Sequence, residues 1–290
     1  MKTKLFDYHI QTLEHGLDKP FRIEDTIESA IKKGLSAISL TDHFPLPPDF
    51  ADPTEEKDCA MRWSLYTEYR KLTKAAQEKY RDRIGITFGA EFDWLPGYSK
   101  WIKKQLSFYP FDYAIGSVHF LGKIHDKKGE RNFVLDYTKE EFLRGMWSFK
   151  NIKNLANAYY KNINDMVKSG LFDCVGHIDL IKKYNDGSLF SEDEKWYTNL
   201  VLSVLDSIAS SKMLIEINTS GFDKECKAQY PSLWILKEAK RRNIGLTMGS
   251  DAHKPDRVGR NLGKAVDLAK EAGYRKLMRF VKRKKLEIKI

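Results

Sequence analysis

The chain has 290 residues, a formal charge of +10, 42% hydrophobic and 31% charged residues, an ordinary globular composition that excludes disordered and fibrous classes. No run reaches the roughly 18 apolar residues of a membrane span, and the N-terminus lacks a signal peptide's apolar core, so a cytoplasmic location is the default. Cys59, Cys174 and Cys226 form no CxxC pair, which argues for a reducing compartment and against a disulfide framework or a cysteine–zinc site.

Along the chain, short apolar segments alternate with longer amphipathic ones, as in βα units around a parallel sheet. The first strand, KLFDYH, runs into His9 and Gln11. Period two points both side chains the same way, as two ligands of one metal require. Gln11 is the odd member, because imidazole is the commoner ligand. A helix, IEDTIESAIKKG, precedes the strand LSAISLTDH and a turn-rich stretch from Phe44 to about Arg62. The strands IGITFGAEFD and FDYAIGSVH follow, and FLGKIHDKKGERNF after His119 reads as a second long loop. Long loops of this kind border binding sites or are disordered.

Helical signal is dense from Thr138 to Ser169, before the strands LFDCVGHID, MLIEINTS and IGLTMGSDAH. The intervening PSLWILKEAKRR places Pro231 at a first helical position. The basic tail from Tyr274 to Ile290 carries much of the positive excess, and its LMRFVKRKKLEIKI reads as an edge or closing strand. Such charge steers anionic ligands, phosphate esters included; a solvated basic face is favoured over nucleic-acid binding. The expectation is one α/β barrel-like domain over residues 1–290, close to the common barrel size of about 250 residues.

Chemistry collects at the strand ends. His9, His15, His43, His119, His177 and His253 lie at or just beyond strand C-termini, while His125 falls in the charged loop. Acidic residues accompany them in TDH, AEFD, GHID and SDAH. Parallel strands of a barrel end on one face, so these side chains converge. Mixed nitrogen and oxygen donors suit Zn, Mn, Fe or Co better than Mg or Ca. More than four candidate ligands imply more than one ion, with a carboxylate such as Glu91 bridging two.

The ordered set TDH, E-x-D, GSVH, GHID and SDAH resembles the polymerase-and-histidinol-phosphatase (PHP) superfamily. LTDHFPLPP, YPFDYAIGSVHFLG, LFDCVGHIDLIKK and EINTSG are similar to its monofunctional histidinol-phosphate phosphatases. The likeness spans about His9 to His253. It implies a distorted (β/α)7 TIM-like barrel with a trinuclear metal centre that hydrolyses L-histidinol phosphate to L-histidinol in histidine biosynthesis. Carried over, one metal takes His9, Gln11, Glu91 and Asp251. A second shares Glu91 and adds His119 and His177. The third takes His15, His43 and His253, with His125 as the alternative to His15. Gln11 stands where the family has the second histidine of H-x-H: a weak natural ligand, an engineered substitution, or the mark of a decayed first site.

No G-x-S-x-G elbow, C-x5-R loop or DxDx(T/V) run offers a covalent nucleophile, so the nucleophile is a metal-activated water. Asp93 and His253 are candidates to assist the leaving group. Arg62 is the first choice for phosphate, since a guanidinium matches its oxygens bidentately; Lys182, Lys183 and Arg257 follow. Asp42 and Asp179 are candidate acceptors for the ammonium and imidazole of the substrate, or groups that orient metal histidines. Phe44, Trp94 and Phe120 would wall the pocket. The partner is thus a small phosphate ester, with neither membrane nor nucleic acid expected, and no exposed apolar stripe marks an oligomer interface. The alternatives are a related phosphoesterase acting on another small phosphate or a nucleotide end, and a non-catalytic binding module with a degenerate site.

Overall fold

The computed structural model describes residues 4–13, 22–126 and 129–290. His15 lies outside them. In chain order the elements are β1 (Phe6–Ile10), α1 (Ile23–Lys32), β2 (Ala37–Leu40), α2 (Trp63–Tyr80), β3 (Gly85–Asp93), α3 (Ser99–Phe108) and β4 (Tyr113–Ser117). Then come β5 (Phe120–Asp126), β6 (Gly129–Val134), α4 (Lys139–Ser148), α5 (Ile152–Ser169), β7 (Cys174–Val175) and α6 (Lys195–Ala209). The chain ends with β8 (Leu214–Asn218), α7 (Leu233–Arg241), β9 (Leu246–Gly249), α8 (Leu262–Glu271), β10 (Lys276–Val281) and β11 (Lys284–Lys289).

All seven predicted strands are present, in one parallel sheet ordered β1-β2-β3-β4-β7-β8-β9. Its two edges meet: Asp251 donates its N–H to the His9 carbonyl at 2.8 Å and Gln11 to Ala252 at 2.8 Å, with a parallel bridge between Ile10 and Ala252. The result is a nearly closed (β/α)7 barrel. Helices cover it through apolar stripes at the helical period, as in α1, which buries Ile23, Thr26, Ile27 and Ala30. In α5, Asn151 caps the start by accepting from the Asn154 N–H, and Gly170 ends the helix at φ 63°. One apolar core runs from Phe6 in β1 to Phe280 in β10.

Three expectations change. The segment after His119 is a hairpin, β5–β6, with Lys123 and Glu130 ion-paired across it at 2.7 Å. Phe120, Leu121, Ile124 and Phe133 are buried, and the opposite face carries the charge that made the segment read as loop. The basic tail is not an edge or closing strand of the barrel: β10 and β11 form a separate antiparallel hairpin. It docks through Phe280, which stacks on Tyr113 at 4.8 Å and accepts a hydrogen bond from the Tyr8 hydroxyl. Pro231 precedes Ser232, the N-cap of α7, rather than opening the helix. Tyr230 is held extended there by reciprocal backbone bonds with Asn218.

Candidate metal centre

At the C-terminal ends of the barrel strands, β1 contributes His9 and Gln11, β3 Glu91 and Asp93, and the segments after β2, β4, β7 and β9 contribute His43, His119, His177, Asp251 and His253. Glu91 is the hub. Its Oε2 lies 3.0 Å from His9 Nε2, 2.9 Å from Gln11 Nε2 and 3.4 Å from His43 Nε2. Its Oε1 accepts from the Ser117 hydroxyl at 2.6 Å and lies 3.0 Å from His177 Nε2 and 3.7 Å from His119 Nε2. The period-two expectation for β1 therefore holds: His9 and Gln11 meet the same carboxylate oxygen.

The histidines are aimed from behind. His9 Nδ1 faces Glu216, 2.9 Å from Oε2, which fixes that nitrogen as the donor and leaves Nε2 toward Glu91 and Asp251. His119 Nδ1 faces Asp93 at 2.7 Å and turns its Nε2 toward His177 Nε2, 3.3 Å away. Carboxylates in this position fix the tautomer and raise ligand basicity. The groups Glu91/His119/His177 and His43/Asp93/His119 each bring their donor atoms within 4.8 Å of one another. Two ligand nitrogens 3.3 Å apart match the edge of a tetrahedron with bonds of about 2.1 Å. The donor set thus fits divalent metal, and the barrel carries overlapping clusters able to chelate it.

The electrostatics agree. Burial alone would push the His9 imidazole down, but Glu216, Glu91 and Asp251 together hold it well above its ordinary value. Burial also opposes protonation of His119, yet Asp93, Asp136 and Glu91 push it up to about 10. Glu91 is held well below the carboxylate range, the imidazoles of His9 and His43 outweighing its burial. Asp251 is lowered likewise, by His9 and His253 against its burial. In both His9 and His119 the neighbouring carboxylates thus favour the protonated ring over the neutral one. Asp251 has φ 53°, a left-handed conformation that a short acidic residue tolerates; its Oδ2 accepts from Asn218 Nδ2 and the Ser220 hydroxyl.

A cavity of about 580 Å³ opens over the cluster, within the size range of small-molecule sites. Glu91, His43, His119, His177, Asp251 and His253 line it, and Arg257 and Lys183 lie in its wall. Other expectations move. Arg62 is the exposed N-cap residue of α2 and lines no part of this cavity. Asp42 is buried as the acceptor for Thr12 N–H, Thr12 hydroxyl and Leu13 N–H at 2.8–2.9 Å, tying β1 to β2. Lys182 and Asp179 are buried against each other at 2.6 Å, with Asp179 also accepting from the Ser232 N–H. Asp93 sits behind His119, away from the cavity. Phe44 is core, stacked on Phe92 at 4.4 Å, and Trp94 is buried; Phe120 does wall the cavity. His125 is exposed on β5 and belongs to no such cluster among the described residues.

Sequence reasoning missed Glu216, Asp136 and Arg260. Glu216 had a signal: an acid inside an otherwise apolar strand, where only a buried partner stabilises it. Asp136 and Arg260 look like surface charges until the fold brings them to the cavity.

Fold and site define a metal-binding (β/α)7 barrel enzyme. The chain belongs to the PHP domain family, whose profile matches residues 7–220. A "Probable histidinol-phosphatase" of Deinococcus radiodurans is 31% identical over 275 residues, 94% of this chain and 95% of the relative. The histidinol-phosphatase of Bacillus subtilis is 33% identical over 262 residues, 87% and 95% of the two chains. The solved histidinol phosphate phosphatase of Lactococcus lactis, complexed with zinc, L-histidinol and phosphate, superposes with a TM-score of 0.72 at 24% identity, covering 98% of this chain and 99% of that one. The protein is thus homologous to the histidinol-phosphatases.

Proposed function

We propose that the chain is a single-domain cytoplasmic phosphomonoesterase that hydrolyses L-histidinol phosphate to L-histidinol and phosphate, using three divalent ions drawn from Zn, Mn, Fe and Co. The observation that carries this reading is the convergence of His9, His119 and His177 Nε2 on the two oxygens of Glu91, with carboxylates behind the first two. The Lactococcus relative's ligands name the substrate class, and the three free cysteines accord with a reducing compartment.

Glu91, His119 and His177 would hold one ion; His9, Glu91 and Asp251, with Gln11 beside them, a second; His43 and His253, with His15, the third. Bound cations supply Lewis acidity and lower the pKa of water. The chain's own residues do the rest. Glu216 and Asp93 hold the ligand nitrogens of His9 and His119 toward the centre. Arg257 and Arg260, in the cavity wall, bind the phosphoryl oxygens in place of Arg62. His253, 29% exposed at the cavity, serves there as a ligand rather than a proton donor, its Nδ1 facing the Asp251 carbonyl at 3.1 Å, so the leaving alkoxide takes its proton from water. Asp93 positions His119.

Phosphate release from L-histidinol phosphate by metal-analysed protein, beside a 3′-phosphorylated oligonucleotide, tests the reading. Turnover of the former alone is expected; preference for the oligonucleotide would sink the substrate assignment. No turnover of any phosphate ester by fully loaded protein would favour a binding module.

A further inference from the structure

The cavity mouth carries charge of both signs. Arg257, Arg260, Lys224 and Lys254 rise from the segments after β8 and β9, whereas Asp58 and Asp136 come from the segments after β2 and β6. In the ring of strands β9, which leads to Arg257 and Arg260, is separated by β8 from β7, whose following segment holds Asp136 through Lys183. Lys224 lies nearer to Asp136, since its neighbour Glu225 pairs with Lys139 at 2.5 Å. A third wall carboxylate, Asp223, belongs to the basic side, where Arg257 and Arg260 pair with it at 3.1 and 2.5 Å. Asp136 differs. Among the described residues its carboxylate takes one partner, Lys183 Nζ at 2.9 Å on Oδ2, and that ammonium is shared with the Asp136 carbonyl. The side chain is 22% exposed, toward the cavity it lines.

Its backbone is fixed as well. Tyr184 donates its hydroxyl to the Asp136 carbonyl at 2.9 Å, and the neighbouring Leu135 N–H bonds the His119 carbonyl at 2.8 Å. Asp136 is held well below the carboxylate range: Lys183 and the nearby imidazoles of His119 and His177 outweigh its burial. Phe120, Val134, Tyr137 and Leu180 supply apolar wall on the same side. A phosphoryl group seated on the cluster and drawn toward Arg257 and Arg260 leaves its ester tail to the rest of the wall, where Asp136 and these apolar groups stand.

We propose that Asp136 is a specificity residue that receives the cationic tail of the substrate, selecting phosphomonoesters whose alcohol carries an ammonium or imidazolium. This rests on the hydrolase reading above, but names a residue and a charge requirement that reading does not contain. It also replaces Asp42 and Asp179, which are buried away from the cavity.

The test compares L-histidinol phosphate with p-nitrophenyl phosphate, a monoester with no cationic tail. Asp136→Asn should lower kcat/KM for L-histidinol phosphate about tenfold or more, chiefly through KM, as loss of one charge-assisted bond implies. The same change should cost p-nitrophenyl phosphate much less, and Asp136→Glu should recover part of the loss. Equal falls for both substrates would overturn the proposal, making Asp136 a support of the metal cluster; metal content on each variant is the companion readout. No change with either substrate also overturns it. If Asp136→Asn misfolds, Lys183→Met provides the second probe, and should tighten KM for the cationic ester alone. If the unaltered protein cleaves p-nitrophenyl phosphate but not L-histidinol phosphate, the substrate reading has failed. Asp136 is then judged by the same ratio on O-phosphoethanolamine against ethyl phosphate.

Discussion

Glu216 and Gln11 show how much of this centre is decided by single side chains that face away from the cavity or seem out of place. Glu216 accepts from His9 Nδ1, the His177 N–H and Asn218 Nδ2 at 2.8–3.0 Å. Glu216→Ala would leave those donors buried without an acceptor and free the His9 ring to turn. Metal affinity should fall about 10- to 100-fold, read by competition with a chromogenic chelator. Gln11 uses its amide fully: Oε1 accepts the His43 N–H at 3.0 Å and Nε2 donates to Glu91 Oε2 at 2.9 Å. Turning the amide to offer oxygen to an ion would set two donors face to face at His43. Gln11→His supplies an imidazole lone pair in that place, so the variant should retain more metal per chain after mild chelator dialysis, measured by elemental analysis. Unchanged stoichiometry would mean that Gln11 already serves as a ligand. The histidines were legible because each sits at the end of an apolar run, where a polar residue has no packing reason to be. Asp136 was not, since nothing local separates it from a solvated aspartate.

The seam between β1 and β9 is the element on which the first half of the centre depends, because it fixes His9 opposite Asp251. Gly249 makes the close approach possible: a Cβ there would lie 2.3 Å from His9 Cβ and 2.9 Å from His9 N. Backbone cannot yield as a flexible side chain can, so Gly249→Ala should destabilise by about 3 kcal/mol and shift the denaturant midpoint at constant m. Asp7 clamps the same seam, accepting from the N–H groups of Ser250 and Gly259 at 2.8 Å and from the Ser250 hydroxyl. The seven barrel strands were readable because strands buried on both faces appear as continuous apolar runs. The two hairpins were not legible as hairpins: β5–β6 reads as a loop and β10–β11 as a single edge or closing strand. A two-stranded ribbon buries one face only, so β5–β6 and β10–β11 carry as much charge as a loop and their alternation is diluted.

For the molecule as a whole, the buried cluster makes stability depend on pH in opposite senses with and without metal. His9 and His119 are raised in the folded state, His119 to about 10, against an ordinary value of 6.5. For a base raised by folding, the contribution is fully present below the unfolded value and is lost as pH rises through the folded one. Chelated protein should therefore lose stability from about pH 6.5 toward 10, by about 1.4 kcal/mol per pH unit for each extra proton the native state holds. Loaded protein should not, because ions take the unprotonated nitrogens and bind more tightly as pH rises. Calorimetry of the two forms between pH 6 and 9 should show a Tm gap that widens with pH, each kcal/mol amounting to about 2–4 °C for a chain of this size. A gap that stays constant would mean that the imidazoles of the chelated protein are already neutral. The carboxylates around Glu91 would then be balanced by hydrogen bonds such as those of Gln11 and Ser117 rather than by protons.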